Sequence, residues 1–313
     1  MVLLAVAGYL VVQYVTGGGG APGCRVVSAK GDGASYEFTP EQAVNAATIT
    51  AVGTGRGMPE RAVAIALATA LQESGLRNIE HGDRDSLGLF QQRPSQGWGT
   101  EKQIMDPAYA AGIFYEHLAK VPDYAELPLT VAAQRVQRSG YPEAYAKHES
   151  DATLLAAALT GRAAATLTCD GRPGTQVAAV GPDGVRTALV RDFGRDALQE
   201  AGAEVSDKGA ATPSPSVTAE AHGRTVTVPV PVDVPAHGTN GRTERAKRTA
   251  RERGWQLAHW AVANSSALHI ERVSYAGREW AAGSTRSRWR STGSTSAGGA
   301  GTATDAVRIV TGQ

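Results

Sequence analysis

Cysteine is scarce, with two in 313 residues. That excludes a disulfide-rich scaffold and a four-cysteine zinc site, and the distance from Cys24 to Cys169 excludes a Cys-x-x-Cys redox pair. One disulfide, Cys24 to Cys169, is all the chain can form within itself. Net charge is scarce as well: 31 Lys and Arg against 30 Asp and Glu leave +1, which excludes a nucleic-acid binder driven by whole-chain charge. Long apolar runs are missing beyond the first 15 residues, so a multi-span transporter is excluded. Aromatics make up only 6% of the chain, yet 42% of it is hydrophobic, enough for one or two ordinary cores.

The near-zero charge conceals an asymmetry. From Gly223 onward there are 13 basic and 6 acidic residues, whereas the preceding 222 carry 18 and 24. Two units with different surfaces are expected. The opening run, Met1 to Val15, is shorter than the roughly 20 residues that span a bilayer, and Gly17 to Gly20 follow it as a spacer. It reads as a signal-peptide core or a membrane anchor, with a buried N-terminal helix as the alternative. Export and a pairable cysteine couple together point to an extracytoplasmic protein, secreted or anchored to the outer face of the membrane.

After the spacer and a short polar lead-in, Thr39-Pro40-Glu41 has the form of a helix start, with a hydroxyl N-cap before a first-turn proline. A helix over 43–52 is expected, broken by Gly53 to Gly57. A second begins at Pro59-Glu60, and its Val63, Leu67 and Leu71 recur at the helical period. Its alanines permit close packing, and its end carries Gln72, Glu73 and Ser74 before Gly75, a natural left-handed cap. A polar loop over 76–87 leads to the short apolar Leu89-Phe90 and a turn at 93–97. Further helices are expected from Asp106-Pro107, from Thr130 as cap to Val136, and from Pro142 to about Leu159. Residues 21–175 therefore read as a mainly helical domain.

The composition changes after Gly161. Cys169 can tie back to Cys24, Val177 to Val190 carries a weak strand pattern around Pro182-Asp183-Gly184, and 176–222 reads as connection and linker. The remainder, 223–313, reads as a small basic α+β domain. Thr225 to Val234 alternates, but Pro229 and Pro231 confine it to an edge strand or an extended segment. Thr243 to Ala263 is helical, Ile270 to Trp280 is a hairpin turning at Ala276-Gly277, and Ala306 to Val310 is a last strand.

Glu73 is the residue with the most chemistry in its position. Cleaving a glycosidic bond requires a proton on the leaving oxygen, which a carboxylic acid supplies at neutral pH only if its pKa is raised. The negative end of a helix dipole and poor solvation both act in that direction, and desolvation has to supply most of the effect. The bland alternative is a structural Glu73, salt-bridged to Arg77 or Arg84.

Gln72-Glu73-Ser74-Gly75-Leu76 followed by Gly88-Leu89-Phe90-Gln91 resembles the paired signature of bacterial lytic transglycosylases and goose-type lysozymes, a Glu-Ser at a helix end and then Gly-Leu-Met-Gln. The resemblance covers about 39–150. It implies a lysozyme-like helical fold acting on peptidoglycan glycan strands, with Glu73 as catalytic acid and no cofactor. It also implies substrate contacts from Ser74, Gln91 and Gln92, with Phe90 in place of Met along an apolar sugar subsite. The family's later Tyr-Asn pair has no counterpart in 132–141, where Gln134 or Gln137 is the substitute and Tyr141 the tyrosine able to turn toward Glu73. A second carboxylate, Asp83 or Asp85, would make an inverting hydrolase. Without one, Glu73 alone donates a proton and then takes one from the muramic 6-hydroxyl, giving an anhydro product. Asp83 and Asp85 are equally suited to loop roles, and the balance favours transglycosylase chemistry over lysozyme-type hydrolysis. A non-catalytic wall-binding protein is the competing class.

No metal is expected. Asp83 to Gly88 has the outline of half a calcium loop, but Leu87 stands where an oxygen ligand is needed, and the histidines show no zinc spacing. The segment 255–280 is similar to a small module appended to secreted wall-associated proteins of high-GC bacteria. Its last strand lacks the histidine that a metal-dependent peptidase would need. Trp255, Trp260, Trp280 and Trp289 in this basic segment suit either adhesion to anionic wall polymer by charge and ring stacking or an ordinary core.

Overall fold

A computed structural model describes residues 23–141, 143–171, 181–195, 223–230, 249–283, 288–292 and 306–312. Among them are eight α-helices and two antiparallel sheets, a mixed α+β protein. No helix of the described residues is long and apolar enough to cross a membrane. The apolar run and spacer at 1–20 lie outside them.

The polar lead-in is more ordered than its sequence suggests. Strands β1 (Cys24–Val27) and β2 (Ser35–Phe38) form an antiparallel pair, and β3 (Leu167–Cys169) adds to the free side of β1. Cys24 lies directly opposite Cys169, and the two form the disulfide expected of the chain. The bridge closes a span of 145 residues that contains the entire helical bundle.

That bundle comprises α1 (Pro40–Gly55), α2 (Glu60–Ser74), the short α3 (Glu101–Ile104), α4 (Pro107–Ala119), α5 (Leu129–Gln137) and α6 (Glu149–Leu159). Thr39 caps α1 in a reciprocal capping box with Gln42. The helix continues past Gly53 to Gly55, and the missing Cβ of Gly53 leaves room for the Tyr115 ring of α4, 2.5 Å from where that Cβ would stand. Helix α2 is central, buried without interruption from Ala62 to Leu71. Its alternate alanines let α1, α5 and α6 approach closely while Val63, Ile65 and Leu67 fill the spaces. Pro128, not Thr130, is the N-cap of α5. Pro142 lies outside the described residues, and the helical run expected from it begins only at Glu149, after a turn and a single 3₁₀ turn.

The strand pattern expected from Val177 to Val190 is not a strand where it is described: residues 181–190 belong to a helix, α7 (Gly181–Phe193). Pro182 near its start is compatible with a first helical turn, and Val185, Ala188 and Leu189 form its buried face. Residues 177–180 lie outside the described part. The second sheet has the order β4 (Thr225–Pro229), β8 (Ala306–Thr311), β5 (Ile270–Tyr275), β6 (Arg278–Ala281), β7 (Arg290–Ser291). As its prolines required, β4 is an edge strand, and β5 and β6 are the expected hairpin.

Helix α8 (Ala250–Ala263), capped by Thr249, joins the sheet to the bundle. His259 Nδ1 lies 2.7 Å from the Ala158 carbonyl oxygen, and Gln256 Nε2 donates to Thr54 at 2.7 Å. The buried Asp192 carboxylate accepts from Trp260 Nε1 at 2.8 Å, Thr48 at 3.2 Å and Arg191 at 2.7 Å, joining α1, α7 and α8. A buried charge held this way is tolerated because every neighbour donates to it. All four candidate stacking tryptophans are buried, and Trp280 and Trp289 donate to the β3 carbonyls of Cys169 and Leu167. They are core residues, so the described faces of these rings are not a glycan platform.

Candidate active site

Local sequence fixes the backbone around Glu73 before its side chain is considered. Gly75 takes φ 63° and ψ 36°, and its N–H and that of Leu76 return to Leu71 and Ala70 at 3.1 and 3.0 Å. This is a Schellman ending, which only a residue at ease with positive φ completes without strain. Helix α1 clamps the same turn, with Gln42 Nε2 donating to the Gly75 carbonyl and Asn45 Nδ2 to that of Leu76, both at 2.8 Å.

The second motif is docked against this helix end. Leu87 and Gln92 exchange backbone hydrogen bonds at 2.9 and 3.0 Å, pinching residues 88–91 into a tight loop. Gly88 has φ 74°, and a Cβ there would lie 2.8 Å from the Ile104 carbonyl oxygen, so glycine is required. Gln91 is held at φ 47°, a strained value for a residue with a side chain.

Ser74 is buried, its Oγ 2.8 Å from the Leu89 carbonyl oxygen and 3.1 Å from that of Ala70. It thus pins the loop to the helix instead of meeting substrate. Phe90 is fully buried and stacked on Phe114 with ring centroids 4.6 Å apart. Its role is a core anchor, since apolar burial of such a ring contributes about 1.5–3 kcal/mol, and it does not wall a sugar subsite.

Glu73 is half-buried. Its Oε1 accepts the Tyr145 hydroxyl at 2.7 Å. Lost hydration raises the carboxyl pKa, while the hydrogen bond from Tyr145 and then the nearby Gln137 amide act in the opposite direction. Burial, followed by the neighbouring carboxylate, pushes the Tyr145 phenol well above its ordinary range, so it remains a proton donor to Glu73 at any working pH. Gln137 Nε2 donates to the Phe90 carbonyl at 2.8 Å, tying α5 to the second motif. No ion pair engages Glu73 among the described residues, and Arg77 turns its Nε back to the Ser74 carbonyl at 3.3 Å.

Tyr145 is the residue that sequence reading missed. It is completely buried and enters from the turn before α6, four positions beyond Tyr141. Tyr141, the expected tyrosine, is 78% exposed and is not the partner of Glu73. A search for a buried aromatic just beyond 132–141, with a hydroxyl needing a partner, would have found Tyr145.

The two aspartates divide. Asp85 pairs with Arg93 Nε at 2.7 Å and accepts the Ser95 N–H at 2.9 Å, so both oxygens are engaged in bracing the loop. Those bonds, led by Ser95, hold its carboxyl far below the usual range. Asp83 is exposed, and its carbonyl accepts the Ser86 N–H at 3.1 Å in the same loop.

Next to this assembly is a cleft of about 670 Å³ lined by Gln91, Gln92, Gln137, Trp98 and a set of basic side chains. Glu73 itself does not line it; Gln137, which tempers the Glu73 carboxyl, does. Gln92 is buried, with Nε2 donating to the Ala110 carbonyl at 3.0 Å. No cluster of His, Cys, Asp or Glu among the described residues is able to hold a metal ion. No protein-family model matches the chain, and no curated protein matches it either.

Proposed function

We propose that the chain is an extracytoplasmic enzyme with a lysozyme-like site that cleaves the β-1,4 bond between MurNAc and GlcNAc in peptidoglycan, with Glu73 as general acid and then base. The observation that carries the reading is a desolvated carboxyl at the end of a buried helix, with a tyrosine hydroxyl 2.7 Å from one oxygen. A carboxyl biased toward its protonated form donates to the leaving O4 as the C1–O4 bond breaks. The resulting Glu73 carboxylate keeps the Tyr145 hydrogen bond, which is stronger to the charged form. It then takes the proton of the muramic 6-hydroxyl as that oxygen bonds C1, leaving a 1,6-anhydro end and a neutral Glu73.

Asp85 supports this one-carboxylate chemistry over inverting hydrolysis, since Arg93 and Ser95 occupy both of its oxygens. The disulfide is consistent with an oxidising compartment, and residues 1–15 would supply export or anchoring. With its tryptophans buried, the basic C-terminal segment would hold anionic wall polymer by charge alone. Digestion of purified peptidoglycan, with products read by mass spectrometry, tests the reading. Anhydro-muramic ends are expected. Reducing ends one water heavier would replace transglycosylation by hydrolysis, and a complete lack of products would favour a non-catalytic wall-binding protein.

A further inference from the structure

The cleft beside the Glu73 site has a charge pattern that the rest of its domain does not share. Before Gly223 acidic residues outnumber basic ones 24 to 18, yet every Lys, Arg, Asp or Glu lining this cleft is basic. They are Arg84, Arg93, Lys120, Arg135 and Arg138, drawn from two loops and from the ends of α4 and α5. Arg93 is neutralised by Asp85 at 2.7 Å, whereas Arg84, Lys120, Arg135 and Arg138 are exposed and have no ion-pair partner among the described residues. Their convergence is felt at His117, which lines the same cleft. Burial and then Lys120 push its pKa below the ordinary value, Glu116 works against them, and Arg138 adds to the depression. A concave surface of about 670 Å³ with four unpaired cations favours an anion, and cations arriving from separate elements favour one whose charges are spread along it.

The hydrogen-bonding character of the lining narrows the class of anion. Guanidinium and ammonium groups only donate. The amide oxygens of Gln92 and Gln137, which would accept, are sealed inside the protein and do not open to the cleft. Among the charged and amide side chains of the lining, Gln91 and Gln96 are left to offer an acceptor. A peptide brings an N–H donor with almost every residue, and a lining of donors leaves those groups unmatched. A phosphodiester chain brings acceptor oxygens and one negative charge per repeat, which guanidinium forks match closely. Trp98 is the one large ring among the described lining residues and is stacked on His117 with centroids 4.2 Å apart, whereas grooves for single-stranded nucleic acid stack successive bases on aromatic side chains.

We infer that this cleft binds a wall polymer of phosphodiester-linked polyol units, with Arg84, Lys120, Arg135 and Arg138 receiving successive phosphates and Gln91 and Gln96 the hydroxyls between them. The binding goes beyond the proposed cleavage: it gives the helical bundle its own grip on a second component of the wall, separate from the basic C-terminal segment, and it does not involve Glu73.

The test is calorimetry on the full wild-type chain with four probes: polyglycerol phosphate, polyglutamate and an oligodeoxynucleotide matched to it in charge, and inorganic phosphate. Polyglycerol phosphate should bind most tightly, and its affinity should fall as salt is added. Arg84→Gln with Arg135→Gln, two exposed side chains, should weaken that binding about tenfold, the combined effect of two exposed ion pairs each contributing roughly two- to fivefold, and should make the salt dependence shallower. In wild type, bound polymer should raise the His117 pKa, followed by proton NMR, because its phosphates offset Lys120 and Arg138.

Absence of binding by polyglycerol phosphate, or a His117 pKa that the polymer leaves unmoved, would overturn the inference. Undiminished affinity in the folded double variant would overturn it too, and would assign the polymer to the C-terminal segment. Tighter binding of polyglutamate would replace the phosphate polymer by a peptide, tighter binding of the oligodeoxynucleotide by a nucleic acid, and equal binding of inorganic phosphate by a small anion. None of the probes contains a MurNAc–GlcNAc bond, so each outcome is independent of whether the cleavage reading survives.

Discussion

Replacing both bridging cysteines, as Cys24→Ser with Cys169→Ser, removes the bond that closes the helical bundle. The bridge spans 145 residues, and loop-closure entropy for that length is roughly 17 cal/mol/K, or about 5 kcal/mol at 25 °C. At about 2–4 °C per kcal/mol for a protein of this size, the midpoint of thermal unfolding should fall by about 10–20 °C. Local pairing does not replace the bridge. Strand β1 keeps its partner β2, and β3 keeps its ladder to β1, the bonds from Trp280 and Trp289 and its packing against α8, none of which restricts the unfolded chain.

The assay is thermal unfolding by circular dichroism, comparing the double variant with wild type before and after reduction. Reduced wild type should melt with the variant. Glu73 and Tyr145 make no contact with the bridge, so product formation at 25 °C should survive in the variant. A fall in midpoint below about 3 °C would refute the entropic reasoning, and loss of activity in a still-folded variant would show that the bridge shapes the site.

Three further outcomes follow from the site. Tyr145→Phe removes the hydroxyl that stabilises the ionised Glu73, so peptidoglycan turnover should drop roughly 10- to 100-fold, matching a charged hydrogen bond of about 1.5–3 kcal/mol. Because that hydroxyl lowers the Glu73 pKa, its loss should also move the high-pH limb of the pH–rate profile upward, and a downward shift would contradict the assignment. Glu73→Gln should be at least as stable as wild type near pH 7 in urea unfolding. Below the ordinary carboxyl pKa of 4.5 both states are protonated and the difference vanishes. As pH rises through that value the unfolded wild type ionises first, so wild type loses stability until the folded carboxyl ionises too. Gly88→Ala, which sets a Cβ against the Ile104 carbonyl at φ 74°, should cost about 1–3 kcal/mol and lower activity by displacing Gln91.

The parts of the fold legible in sequence are those with strong local signals. Thr39-Pro40, Gly75, the period of Val63, Leu67 and Leu71, and the turn at Ala276-Gly277 each fix a backbone geometry by themselves. The disulfide was legible because two cysteines allow a single pairing. Less legible were elements whose identity comes from tertiary context. Ser35 to Phe38 fully buries only Phe38 and is a strand because β1 lies beside it. Helix α7 was hidden by Pro182-Asp183-Gly184, a turn-like triplet that also fits a helix start.

At the site, the position of Glu73 could be read from the helix that ends there, but its partner could not. Tyr145 lies in a turn with no periodicity, and its role arises from the packing of α6 on α2. Ser74 and Phe90 show the converse, since a motif identifies which residues assemble without revealing which of them point inward.

The central claim is that Glu73 supplies the proton. Release of soluble fragments from purified peptidoglycan by wild type and Glu73→Gln, with a melting curve to show that both are folded, tests it most directly. A loss of about 100-fold or more is predicted, the scale of a missing general acid. Fragment release by folded Glu73→Gln at a rate near that of wild type would contradict it.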